Sequence, residues 1–273
     1  MKRELAEAAK DLAAYLRNQD ENLAEPPCMG AAKAAPVLSP AVKTTKKAAA
    51  PQPAAEKENP PAPAMTPKRP ADMDALAEQV KNCRSCGLGG TRLNAVFGVG
   101  TYKAKVVFVG EGPGFQEDHK GEPFVGRSGQ LLDKILETVL GLKRSDVYIA
   151  NIVKCHPMKN PADPESHGND RPPTPDEISA CRPYLDEQLR FIKPACIVTL
   201  GSVPTKVLLK TDKGISLVRG SAYDYPVEIV PGRPIKVIPT YHPAALLRNP
   251  NLKRDTWEDM KMVKAFLETG KIP

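Results

Sequence analysis

KVVFVGEGPGFQEDHKGEPFVGRSGQLLD, residues 105–133, decides how the chain is read. Val106, Val107, Phe108 and Val109 form a short β-branched and aromatic run of the kind that makes a fully buried strand. Gly110, Gly112, Pro113 and Gly114 stop that strand in a turn where backbone can come very close to a small ligand. Three acids follow or sit in the turn (Glu111, Glu117, Asp118), then Phe124, then a helix with Ser128 as candidate N-cap and Leu131, Leu132, Ile135 and Leu136 on one face. A pocket at the carboxyl end of a strand is the expectation.

Working outward, further strands are expected near 147–153, 196–200 and 235–239, and helices near 130–140, 175–192, 203–209 and 256–268. Strands alternating with helices at this spacing argue for βαβ units. The expected class is α/β, a three-layer αβα domain with a central, mostly parallel four-stranded sheet. Ligands of such sheets bind beyond the strands' carboxyl ends, and Gly112, Asn151 and His242 all fall just beyond or at the ends of expected strands.

The compact domain is expected over 71–273. Residues 1–25 begin with an Ala- and Leu-rich stretch that reads as a short amphipathic helix, a solvated one before a docking element for a protein partner. Residues 26–70 are mostly Ala, Pro and Lys, a composition that cannot bury a core and predicts a disordered linker. This linker carries seven Lys and Arg against two Glu, a net +5 that could hold the domain near a polyanion or serve as a plain solubilising tether.

The whole chain of 273 residues carries +7, which favours polyanionic partners such as nucleic acid. No run of eighteen apolar residues is present, so no membrane partner is expected and a cytoplasmic monomer is the simplest reading.

Six cysteines are too few for a disulfide scaffold, and their spacing says more than their number. Cys83 and Cys86 form C-x-x-C, Cys155 follows a predicted strand, and Cys181 lies in a predicted helix. Four thiolates suit either zinc or an iron–sulfur cluster, and spacing does not choose between them. Cys28 and Cys196 read as inert thiols. A dinucleotide-binding enzyme is the first alternative and fits poorly, because GEGPG lacks the third glycine at the required spacing and Pro113 removes an N–H.

NCRSC, GEGPG followed by ED and GEPFVGRSGQLLD, NIVKC, the P-x-P-D-E-I-x-x-C helix and YHPAALLRNP occur in one order over about 76–267. Together they resemble the fourth, iron–sulfur family of uracil-DNA glycosylases. The resemblance implies a [4Fe–4S] cluster on Cys83, Cys86, Cys155 and Cys181. It also implies removal of uracil from single- or double-stranded DNA, leaving an abasic site. By the same resemblance Gly112 and Phe124 contact the base, Phe124 as the stacking floor, and Asn151 reads the uracil amide edge. His242 would donate to the charge that builds on the leaving base. Leu246 or Leu247 would wedge into the DNA, with Arg248 on a phosphate.

Two departures stand out. The best-known uracil glycosylases carry an Asp where this turn has Gly112, so the water-activating group falls to Glu111, Glu117 or Asp118, of which Glu111 and Glu117 are taken as site residues. Residues 161–170 (PADPESHGND) exceed the family pattern. A related group lengthens this region and uses a histidine there to bond the abasic sugar, which makes His167 a candidate for a covalent variant. That group's basic loop motif is absent here. A non-catalytic, cluster-bearing nucleic-acid module is the other alternative. The Gly126–Gly129 turn is a further candidate phosphate site.

Overall fold

The computed structural model describes residues 71–273; the expected N-terminal helix and linker lie outside the described residues. In chain order these residues form α1 (Met73–Lys81), α2 (Leu88–Thr91), β1 (Val99–Gly100), β2 (Val106–Gly110), α3 (Phe115–Lys120), α4 (Arg127–Ile135) and β3 (Tyr148–Asn151). There follow α5 (Pro175–Ile192), β4 (Cys196–Leu200), α6 (Ser202–Leu209), α7 (Ile215–Val218), β5 (Tyr223–Asp224), β6 (Lys236–Thr240), α8 (Pro243–Arg248) and α9 (Lys253–Thr269). None of the described helices is long and apolar enough to cross a membrane.

The sheet order is β1-β3-β2-β4-β6-β5. The four expected strands form its parallel centre, with Gly110 opposite Asn151, Val107 opposite Ile197 and Leu200 opposite Thr240. The expected count of four is corrected to six. Two-residue antiparallel strands, β1 and β5, close the edges, and neither is long enough to show an alternating pattern.

Side-chain alternation along β2 builds the three layers. Val107 and Val109 pack with Leu76, Val80, Leu185 and Leu189 on one face, while Val106 and Phe108 pack with Leu132, Leu136, Met260 and Val263 on the other. Both faces are covered by helices, so β2, β3 and β4 are buried throughout.

Each helix has a local cause. Asp72 caps α1 by accepting from the Ala75 N–H at 2.8 Å. α5 starts on a reciprocal Thr174–Glu177 capping box with Pro175 in its first turn, and Arg171 grips Glu177 through two nitrogens at 2.8 and 2.7 Å. α4 begins at Arg127 on Gly126, so Ser128 is not its N-cap. It continues through a π-helical turn to Leu140 and ends at Gly141 in the left-handed region (φ 69°). α3 sits within the stretch read as a turn; six residues are too few to show a helical period.

Candidate active site

The carboxyl ends of β2, β3, β4 and β6 open onto one cavity of about 520 Å3, within the size range of small-molecule sites. Glu111, Gly112, Glu117, Phe124, Asn151 and His242 all line it, so the six site residues expected from distant parts of the sequence meet in one place.

Asn151 ends β3 and is buried. Its Oδ1 has no hydrogen-bond partner. A buried acceptor without a donor costs free energy unless a ligand supplies one. Phe124 sits beside it at φ 54°, a left-handed conformation uncommon for a non-glycine residue.

Two glycines make this arrangement possible. A Cβ on Gly110 would lie 2.3 Å from Asn151 Oδ1 and 2.7 Å from the Phe124 ring, and one on Gly129 would lie 1.7 Å from the Phe124 carbonyl oxygen. Glu117 holds the remainder. Its carboxylate accepts from the N–H groups of Val125 (3.0 Å), Gly126 (3.2 Å) and Gly114 (3.2 Å), fixing the turns on both sides of α3. Those bonds also use the Gly126 N–H, the first of the turn considered as a phosphate site. Glu111 has no such partners, and burial pushes its carboxyl above the usual range.

His242 is the N-cap of α8 and accepts from the Ala244 N–H at Nδ1 (3.1 Å). A neutral ring with Nδ1 accepting carries its proton on Nε2, leaving that nitrogen as a donor. Burial, reinforced by the Arg248 cation, brings its pKa down to about 4. The His242 and Phe124 rings lie 5.5 Å apart at 33°. Behind them Thr240 donates to Asp259 (2.7 Å), which Arg219 holds through two nitrogens at 3.0 and 2.7 Å, anchoring the end of β6 to α9.

The segment after His242 divides. Leu246 is 1% exposed and packs in the core, which corrects its reading as a DNA wedge; Leu247 is 39% exposed. Adjacent helical positions differ by 100°, so one faces in and the next out. Arg248 lines the cavity mouth.

Residues 160–170 fold against the same rim. Asn169 bridges to the backbone of Asn160 and Asp163, and His119 contacts Glu165 at 3.1 Å. His167 stacks on Phe115 (4.3 Å), outside the cavity lining, a placement that gives no support to a covalent role. Asp170, not singled out from sequence, does line the cavity. Its Oδ1 lies 2.6 Å from His156 Nε2, and His156 Nδ1 lies 3.6 Å from the buried Asp118. Asp118 also accepts from the Leu93 and Asn94 N–H groups, so it serves structure and is not among the cavity-lining residues.

Cys83, Cys86, Cys155 and Cys181 line one small recess, together with Lys154 just after β3. Donors point at three sulfurs: Arg92 NH1 to Cys155 (2.8 Å), the Lys154 N–H to Cys181 (3.2 Å) and the Ser85 N–H to Cys83 (3.5 Å). Among the described residues no three His, Cys, Asp or Glu side chains are gathered as one metal ion requires. Cys196 is buried in β4, as its inert reading implies.

Residues 97–261 match the model of the uracil DNA glycosylase superfamily. The type-4 uracil-DNA glycosylase of Sulfurisphaera tokodaii is 42% identical over 203 residues, 73% of this chain and 86% of that protein. The type-4 enzyme of Thermotoga maritima is 42% identical over 199 residues, 72% of this chain and 95% of its own. A type-5 uracil-DNA glycosylase from Pyrobaculum aerophilum is 31% identical over 60% of this chain and 71% of its own. With the parallel sheet, the cavity at its carboxyl edge and a 42% likeness spanning nearly all of these type-4 proteins, the chain belongs to the type-4 family of the uracil DNA glycosylase superfamily.

Proposed function

We propose that this protein excises uracil from DNA, flipping the nucleotide into the cavity and hydrolysing its N-glycosidic bond to leave an abasic site. A base inside a duplex cannot be reached otherwise. The observation that carries the reading is the unpartnered Asn151 Oδ1 in a cavity that also presents the Phe124 ring and a neutral His242. Uracil offers an N3–H donor flanked by a carbonyl, and a carboxamide both accepts and donates. Phe124 stacks the ring, a contact worth about 1–3 kcal/mol.

When the bond from C1′ to N1 breaks, its electron pair passes to the uracil ring and spreads onto O2. His242 Nε2–H donates to that oxygen, an interaction that strengthens as charge develops and is worth about 3–4 kcal/mol. Water then adds to the oxocarbenium-like C1′ and gives its proton to the Glu111 carboxylate, from which it passes to the departed uracil anion. Glu111, free of other partners, orients that water; Glu117 is a positioning residue, since its oxygens hold Gly114, Val125 and Gly126. The exposed Leu247 and the cavity-lining Arg248 meet the strand from which the base has left.

Four thiols on one recess match the ligand set of a [4Fe–4S] cluster, the cofactor that the resemblance to the iron–sulfur family implies. Cys83, Cys86, Cys155 and Cys181 would hold it, and it would supply a structural cross-link between α1, α5 and the segment after β3.

Incubation with single- and double-stranded oligonucleotides bearing one uracil, followed by alkali, tests the activity. Scission at the uracil is expected with both; an intact strand in both would leave a non-catalytic nucleic-acid module as the better account.

A further inference from the structure

Three residues, Ile152, Val153 and Lys154, separate Asn151 of the base pocket from Cys155 of the thiol recess, and one side chain among them has no role so far. Lys154 is 1% exposed, buried without a carboxylate partner within hydrogen-bond reach. Its Nζ turns back to donate to the Asn151 carbonyl oxygen at 2.9 Å and to Gln188 Oε1 at 2.7 Å. Its own N–H donates to Cys181 Sγ at 3.2 Å, and its carbonyl accepts from the Val96 N–H at 2.8 Å. Gln188 is held in turn by the Phe97 carbonyl (2.9 Å) and the Tyr148 hydroxyl (3.0 Å).

Consequently the carbonyl end of β3 is capped by a side chain three residues downstream, whose backbone is fixed to a cluster thiol. Ile152 and Val153 donate to the carbonyls of Gly110 and Glu111 (2.9 and 3.2 Å), so the segment cannot shift without disturbing the turn that faces the base. Such a chain of buried bonds has few intermediate arrangements.

We propose that Lys154 is a positioning residue that couples the thiol recess to the base pocket, so that an ordered recess seats the Asn151 carboxamide and a base on Asn151 steadies the recess. The proposal rests on the uracil and cluster readings above. Coupling between two sites is reciprocal, which gives a readout independent of turnover.

Wild-type holoprotein and Lys154→Met are mixed with an iron(II) chelator, with and without saturating free uracil, and loss of visible cluster absorbance is timed. Uracil is expected to slow loss about 5-fold or more in the wild type, the lower end of ordinary coupling, and to have no effect in Lys154→Met. A wild type with no protection, or a variant protected equally, overturns the proposal. Should Lys154→Met not fold, Lys154→Gln, whose amide is too short to reach the Asn151 carbonyl, is expected to lose protection too; full protection there also overturns it. Uracil excision is scored in the same wild-type preparations. No excision removes the base-pocket reading itself, whereas excision without linkage removes only the role of Lys154.

Discussion

Gly110 and Asn151 stand opposite each other in the parallel register of β2 and β3, and only the absence of a side chain on Gly110 leaves room for the Asn151 Oδ1. The same gap admits the edge of the Phe124 ring. A glycine that looks like a strand terminator thus sets the space shared by two side chains of the pocket.

Gly110→Ala should therefore fold yet work poorly. Its methyl displaces either the carboxamide or the ring, and misplacement by about 1 Å costs on the order of 100-fold in rate. Single-turnover excision beside thermal unfolding checks this; a near-normal rate would mean that neither group is set by that contact.

Glu111 and Glu117 are expected to separate by readout. Glu117→Gln removes a charged acceptor from three N–H groups and should cost about 1–3 kcal/mol of stability along with activity. Glu111→Gln, which removes a carboxylate disfavoured by burial, should not lower stability to denaturant and should slow the chemical step about 100-fold or more, the contribution of a placed base. Equal stability losses in both would contradict the division of roles.

Leu246 and Leu247 give a second contrast. Leu246→Ala opens a core cavity and should cost about 2–5 kcal/mol. Leu247→Ala should change stability by under about 0.5 kcal/mol while lowering excision from duplex more than from single strands, since only a duplex has a stack to fill. Comparison of the two substrates at fixed salt decides it.

The pH dependence follows from His242. Its folded pKa is about 4 against 6.5 when exposed, so between those values the unfolded chain binds the proton and the folded chain does not. The contribution to stability is then complete above pH 6.5 and falls as pH drops towards 4, while the ring stays a neutral donor in the folded protein. Urea unfolding of wild type and His242→Gln should diverge across that window, with the wild type losing more; parallel curves would indicate an exposed, ordinary histidine.

Much of this was legible in the sequence. The run 106–109 is apolar at every position because both sheet faces are covered, and Thr174, Pro175 and Glu177 announce α5 by their capping chemistry. Positions just past strand ends delivered Gly112, Asn151 and His242 to one cavity. What was not legible depends on direction rather than type. Leu246 and Leu247 are the same residue on opposite sides of one helical turn. Glu117 and Glu111 are both acids of the turn region, yet only the fold brings Gly114, Val125 and Gly126 to the former. Asp170 and Lys154 carried no local signal, because each acquires its place from partners far along the chain.

The central claim is that a neutral His242 stabilises charge on a departing uracil. Single-turnover excision from an oligonucleotide with one uracil, in wild type and His242→Ala, tests it most directly when DNA affinity is measured alongside. Loss of one such donor should lower the rate about 100- to 1000-fold with binding nearly unchanged. A variant as fast as wild type would contradict the account.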